Sequence, residues 1–408
     1  MRISTSMIFN SGATNLQQLQ GSMYQIQNQM STGRRVLTPA DDPVAAAQAL
    51  VVSQNQSVNK QFIDNQGNAG SQLSLIENRL SSISDLIVSV KDRVVQAGNG
   101  SYGDKERTDI AAEIRQRYDE LIGLANSSDA MGQYVFSGFR GNTQPFSTTG
   151  SPGNRTATYA GDGGQRQIQV SSGRLMDVSE AGSNIFMNIP QGNGKFMFTA
   201  GGANTGTGAL GASSMISGYD GSTYQLTFTA PNTYTLAVTN SSGVTTTTPG
   251  QTYTTGSQIV LGPAGQQLQI AISGSPAVGD SFSVAPSSNQ DIFQTLDNMI
   301  KALEGNVSTN DSTKATFKNQ MAGISDSLDQ ALERVLTAQT SIGARQTELD
   351  SLGNSSSDLD LQYKTDLSSL QDLDYTKAAS DLTSQKMVLE AAQLSFKQVS
   401  QMSLFNFL

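Results

Sequence analysis

The sequence predicts a mainly α-helical protein with a β-rich domain inserted in its middle, and three observations carry that prediction. Apolar residues recur at steps of three and four at both ends: Leu16, Leu19, Met23, Ile26 and Met30 early, Ala378, Leu382, Leu389, Ala392, Phe396 and Val399 late. The same spacing continues inward on each side. Between 141 and 290 it gives way to short alternating runs among glycines. A coiled-coil seam at each terminus, with more than 300 residues between them, predicts that the chain leaves and returns to one place. The expected shape is a rod whose far end is the middle of the sequence.

The elements follow in order. After the first seam, Thr38-Pro39-Ala40-Asp41-Asp42-Pro43 places a carboxylate before free helix N–H groups and a proline at the first helical position, so a helix should start near 43. A Gln- and Asn-rich stretch leads into Leu73, Ile76, Leu80, Ile83, Ile87, Val90 and Val94, a stripe on a helix of roughly 38 Å from 73 to 97. Gly98-Asn99-Gly100 should stop it, and Ile110, Ile114, Leu121 and Leu124 mark a returning helix. From 141 to 290 only nine of 150 residues are charged and 24 of the 39 glycines occur. Alternation at 167–170, 224–228, 234–238 and 268–272 predicts strands, with low-complexity disorder the alternative for 200–223. A shorter helix follows over Ile292, Leu296, Met299 and Leu303. A long stripe then runs from Phe317 through Met321, Ile324, Leu328, Ala331, Val335, Ala338, Ile342 and Leu349 to Leu352, broken at Arg345. Each large seam residue stabilises packing by roughly 1.5–3 kcal/mol if fully buried, before entropy is subtracted, so these helices should bundle.

Composition removes most chemistries. The chain has no His, no Cys and no Trp, so the usual near-neutral general base, the thiolate nucleophile and the soft metal ligands other than Met are missing. The expectation is no catalytic residue, no cofactor and no metal. Net charge is -9, pI is about 4.6, and no basic block is present, which argues against nucleic acid. Paired carboxylates at Asp41/Asp42, Asp358/Asp360 and Asp372/Asp374 lie near expected helix starts and read as caps. Ser57-Val58-Asn59-Lys60 matches S-x-x-K without the motifs that accompany it in acyl enzymes.

The terminal cluster Leu404, Phe405, Phe407 and Leu408 holds four apolar residues in five, which suggests burial against another subunit. Met1 to Asn10 lacks a continuous apolar core and a small-residue cleavage site, and no run approaches the ~18 residues of a membrane span. No cleaved signal peptide and no membrane insertion are expected.

At its ends the chain resembles the flagellin superfamily and, within it, the hook-filament junction family. The residues that carry this are Met1-Arg2-Ile3-Ser4-Thr5, Gln29 to Val36 with Thr38 to Ala47, and Asp372-Leu373-Asp374-Tyr375 through Lys386 to Gln393 and on to Ser403-Leu404-Phe405. Tyr134 to Gly138 and Tyr159 to Gly163 look like that family's domain edge. The resemblance implies a terminal coiled-coil inner-tube domain (1–40 plus 358–408), a helical rod domain (41–140 plus 290–357) and a β-rich outer domain (141–289). It also implies export through the flagellar type III apparatus to an extracellular position in the flagellum. The implied partners are copies of the chain in a ring, the first hook-filament junction protein, flagellin, and an export chaperone at the C-terminus. Departures are Gln385 at a heptad position and Arg345. Two rival readings are a repeating flagellin filament subunit and an exported adhesin using Tyr159, Tyr219, Tyr224 or Tyr234 of the β domain. Charge sparseness also predicts that about 145–285 is a removable module.

Overall fold

The computed structural model of the protein describes residues 5–401. The chain divides into two compact units, one of residues up to Gln66 together with those from Ser351 onward, the other Gly67–Asp350.

The first unit contains α1 (Thr5–Thr32), the start of α2 (Pro43–Ala97), the end of α5 (Asp311–Gln371) and α6 (Tyr375–Gln401). α1 and α6 pack antiparallel: the rings of Phe9 and Phe396 lie 5.0 Å apart, and the Tyr375 hydroxyl donates to the Met30 carbonyl at 3.2 Å. Pro43 is the first residue of α2, as its sequence context predicts, and Asp42 Oδ1 accepts from the Ala45 N–H at 3.0 Å. Where α2 faces α5 in this unit, several contacts are polar. Asn59 Nδ2 donates to the Ser356 carbonyl at 2.7 Å and Gln66 Nε2 to the Ser356 hydroxyl at 3.1 Å. The helix start expected near 358 is corrected, because α5 runs unbroken for 61 residues to Gln371. Asp360 caps nothing and instead pairs with Lys364 one turn on at 2.6 Å and accepts from Gln56 at 3.0 Å.

The second unit buries the predicted stripes. Leu73, Ile76, Leu80, Ile83, Ile87, Val90 and Val94 of α2 are all buried, as are Ile110, Ile114 and Leu121 of α3 (Asp104–Ala125) and Ile292, Leu296, Met299 and Leu303 of α4 (Ile292–Leu303). On α5, Met321, Ile324, Leu328, Ala331, Val335, Ile342 and Leu349 are buried too. Arg345 interrupts that stripe because it is a strut: its guanidinium pairs with Glu180 at 2.8 Å and donates to the Asp177 carbonyl at 3.3 Å.

The strands begin with two hairpins, β1 (Phe146–Thr149) with β2 (Thr156–Tyr159) and β3 (Gln167–Ser171) with β4 (Arg174–Asp177), then a π-helical turn at Ser183–Met187 and β5 (Ile189–Pro190). A β sandwich follows. One antiparallel sheet has the order β10-β9-β8-β13-β6, built from β6 (Phe196–Ala200), β8 (Thr223–Ala230), β9 (Thr233–Thr239), β10 (Thr245–Thr252) and β13 (Ser281–Pro286). The other has the order β11-β12-β7, from β7 (Ala209–Met215), β11 (Gln258–Leu261) and β12 (Leu268–Ser273). Phe196, Tyr224, Leu226, Phe228, Phe282 and Val284 meet Leu261, Leu268, Ile270 and Ile272 in the core between them. β7 makes the 200–223 stretch ordered, pairing Ala209–Met215 with β12. Tyr224 and Tyr234 are 2% and 5% exposed, so neither offers the ligand-stacking face that the adhesin reading needs.

The base of the β region does not detach where the charge pattern suggests. Phe146 and Phe186 stack with Phe293 of α4 at ring separations of 5.3 and 6.0 Å. The fully buried Asp297 of α4 accepts from the N–H groups of Gly153 at 2.8 Å and Arg155 at 2.9 Å. Removing 145–285 therefore opens a shared core and strips a buried carboxylate of its donors, a loss of several kcal/mol. The natural cut is higher, where β14 (Asn289–Gln290) pairs with β5 and the Gln191 N–H donates to the Ser288 carbonyl at 2.9 Å. We predict that replacing 195–287 by a short glycine linker preserves a cooperative melt followed by helical circular dichroism, whereas deleting 145–285 lowers and broadens it. Equal melts for the two deletions would show that Phe146, Phe186 and Asp297 carry no shared stability.

Candidate assembly site of the terminal helices

The turn from α1 into α2 and the turn from α5 into α6 lock together. Gly33 ends α1 at φ +74°, a conformation that glycine adopts without strain, and its carbonyl accepts from the Leu373 N–H at 2.9 Å. Next to it Arg34 bridges Asp372 in antiparallel fashion, and the Arg35 N–H donates to the Gln371 carbonyl at 2.7 Å. The Arg35 guanidinium donates to the Leu370 carbonyl at 2.8 Å and pairs with Asp42 at 3.0 Å. Asp41 closes the loop by accepting from Leu37 N–H (3.0 Å), Thr38 N–H (2.7 Å) and Gln25 Nε2 (2.9 Å). Asp374 caps α6, accepting from the N–H groups of Thr376 and Lys377. Of the three carboxylate pairs read as caps, Asp41/Asp42 and Asp372/Asp374 thus sit at helix starts, and Asp358/Asp360 does not.

Beyond this clasp the helical pair carries the seam residues. Leu16, Leu19, Met23, Ile26 and Met30 are half-buried along α1; on α6 Leu389 is buried, Leu382 and Phe396 are half-buried, and Val399 is exposed. Gly12 makes the closest approach possible, since a Cβ there would meet the Phe396 ring at 2.6 Å. Gln385 explains its departure from the heptad poorly: its Oε1 is buried without a hydrogen-bond partner, which costs about 1–3 kcal/mol and weakens the pair. Leu404, Phe405, Phe407 and Leu408 lie outside the described residues. Sequence reasoning missed Gly12 and the clasp, because both depend on residues more than 300 positions apart.

Large apolar side chains remain exposed around the pair. Met7, Phe9 and Tyr24 on α1, Val44, Leu50 and Val51 on α2, and Met387, Leu394 and Val399 on α6 are each at least half exposed or nearly so, with Leu50 at 71%. Nine large apolar side chains so exposed on three helices of one unit supply the kind of surface that an interaction site uses. Among the described residues no group of three or more acidic side chains is placed to hold a metal ion, and no helix is long and apolar enough to cross a membrane.

The carboxylates of the clasp make it a candidate for acid sensitivity. Hydrogen bonds from the Thr38 N–H above all hold the Asp41 carboxyl below its ordinary range, and the Ala45 N–H followed by Arg35 does so for Asp42. Lowered folded values mean that this contribution is complete above the ordinary carboxyl pKa of about 4 and is lost as pH falls through the lower folded values. Amide exchange at Thr38 and Leu373, compared between neutral pH and pH about 3 after correction for intrinsic rates, should show loss of protection in acid. Unchanged protection would remove the carboxylates from the clasp.

The bacterial flagellin N-terminal helical region model matches residues 3–140. The chain is 27% identical over 408 residues to flagellar hook-associated protein 3 of Salmonella typhimurium, covering all of this chain and 99% of that one. The crystal structure of Xanthomonas campestris FlgL is 32% identical with a TM-score of 0.69, over 78% of this chain and 99% of that one. The flagellar junction protein FlgL from Legionella pneumophila is 30% identical with a TM-score of 0.68, over 80% of this chain and all of that one. Clasped terminal helices, buried helical stripes and an inserted β region thus coincide with similarity along the whole chain, and the protein belongs to the flagellar hook-associated protein 3 (FlgL) family.

Proposed function

We propose that this chain is a structural adaptor of the bacterial flagellum, a ring of copies that joins the hook, through the first junction protein, to the flagellin filament. The observation that carries this reading is the apolar surface left open around the α1–α6 pair, which one copy cannot cover. Leu16, Leu19, Met23, Ile26, Met30, Leu382, Leu389, Phe396 and Val399 form the assembly seam, and Leu404, Phe405, Phe407 and Leu408 complete it against a neighbouring copy. In this reading three parts work together: 1–40 with 358–408 in the inner tube, 41–140 with 290–357 in the rod, and 141–289 on the outside. No catalytic step is involved, and function is mechanical. The chain reaches its extracellular place through the flagellar type III apparatus, with a chaperone on its C-terminal segment.

Adding purified protein to hooks that already carry the first junction protein separates assembly from export. The full chain should seat filaments, and a chain lacking Leu404 to Leu408 should not, while its monomer melts within about 0.5 kcal/mol of the full chain. Filament growth at the full-length level would show the tail to be dispensable. A filament subunit, unlike an adaptor, would polymerise into long filaments when seeded alone, so the seeded full chain should not elongate.

A further inference from the structure

A groove of about 540 Å³ lies on the first unit between the start of α2 and the end of α5, floored by Ala47, Val51, Val52 and Leu370. Val51 is 57% exposed, and Val44 and Leu50 continue the apolar surface alongside. The geometry points to this groove as the seat for the Leu404–Leu408 segment of a second copy of the chain. The inference rests on the proposed burial of that segment between subunits and adds its receptor.

The segment matches the groove in chemistry. The side chains of residues 402–408 carry no charge, and Leu404, Phe405, Phe407 and Leu408 supply four large apolar ones. Burying them against Ala47, Val51, Val52 and Leu370 brings apolar gain, while Gln48, Asp366 and Ser369 form the polar part of the lining. At the other terminus, Met1 to Ser4 includes Arg2 and only two apolar residues, a poorer match.

Reach excludes the chain's own tail. α6 starts at the clasp, which includes Leu370 of the groove, and is 27 residues long, so its far end lies roughly 40 Å from the clasp at 1.5 Å per residue. The seven residues after Gln401 extend at most about 25 Å. The tail of one copy therefore cannot return to its own groove. Tail and groove are different surfaces, so each copy donates one and offers the other. That contact is heterologous, the kind that closes into a ring or continues as a helix.

The chain has no Cys, so introduced thiols report only the intended contact. Full-length Val51→Cys and Phe405→Cys chains are made separately, mixed, added to hooks bearing the first junction protein, and oxidised. Disulfide-linked dimers should form in the mixture and not with either variant alone. Val51→Asp, at an exposed helical position that leaves the fold intact by circular dichroism, should lower filament seating at least about tenfold. If Val51→Asp seats filaments normally while tail removal abolishes seating, the tail reading stands and this groove is not its seat. If tail removal is itself harmless, both fall. Cross-linking of Val51→Cys to the first junction protein in place of Phe405→Cys would also overturn the assignment.

Discussion

α1 ends and α6 begins at one place, and the clasp between Gly33–Asp42 and Leu370–Tyr375 fixes it. The interaction joins segments more than 300 residues apart through backbone hydrogen bonds at Gly33, Arg35, Gln371 and Leu373, with Arg35 and Asp42 bracing it. Because the donors and acceptors are main-chain groups, the lock is set by the helix ends and depends little on bulky side chains. It brings the start of α6 beside the end of α1, and antiparallel packing of the two helices follows from that starting point. Seam, groove and outward apolar residues all take their positions from it.

Two packing regimes meet along α2 and α5. In the second unit the stripes are buried to a few per cent, and each large side chain contributes on the order of 1.5–3 kcal/mol. In the first unit the α2–α5 contacts include the polar Asn59, Gln66 and Ser356, and the α1–α6 seam is mostly half-buried. Half-buried seams on a two-helix pair leave little surplus over the entropy of ordering about 28 residues of α1. One unit buries its apolar stripes in its own contacts, and the other leaves large apolar side chains exposed.

Much of this was legible in the sequence because periodicity is local. The stripes at 73–94 and 317–352 and the strands at 167–170, 224–228, 234–238 and 268–272 follow from steps of three, four or two, and the Pro43 start and the Ala97 stop from the residues beside them. What stayed hidden depends on distant partners. The stripe break at Arg345 gained its reason only from Glu180. Asp358 and Asp360 looked like a helix start because a carboxylate at a cap and one in an i,i+4 ion pair are the same letter in a sequence; Lys364 decides between them. Charge sparseness suggested a detachable module from 145 to 285, yet Phe146, Phe186 and Asp297 fuse its base to α4 through contacts that carry no compositional mark. In the terminal site the seam residues were readable as a pattern, whereas the clasp and the close approach at Gly12 were not, since a glycine announces freedom and not the ring that occupies it.

Whether the terminal helices are completed by other copies is decided by hydrogen exchange across residues 16–30, measured on dilute monomer and again on protein assembled onto hooks. Exchange should be rapid in the monomer, with strong protection after assembly. Strong protection already present in the dilute monomer would contradict completion by other copies, because the α1–α6 pair would then be stable without neighbours.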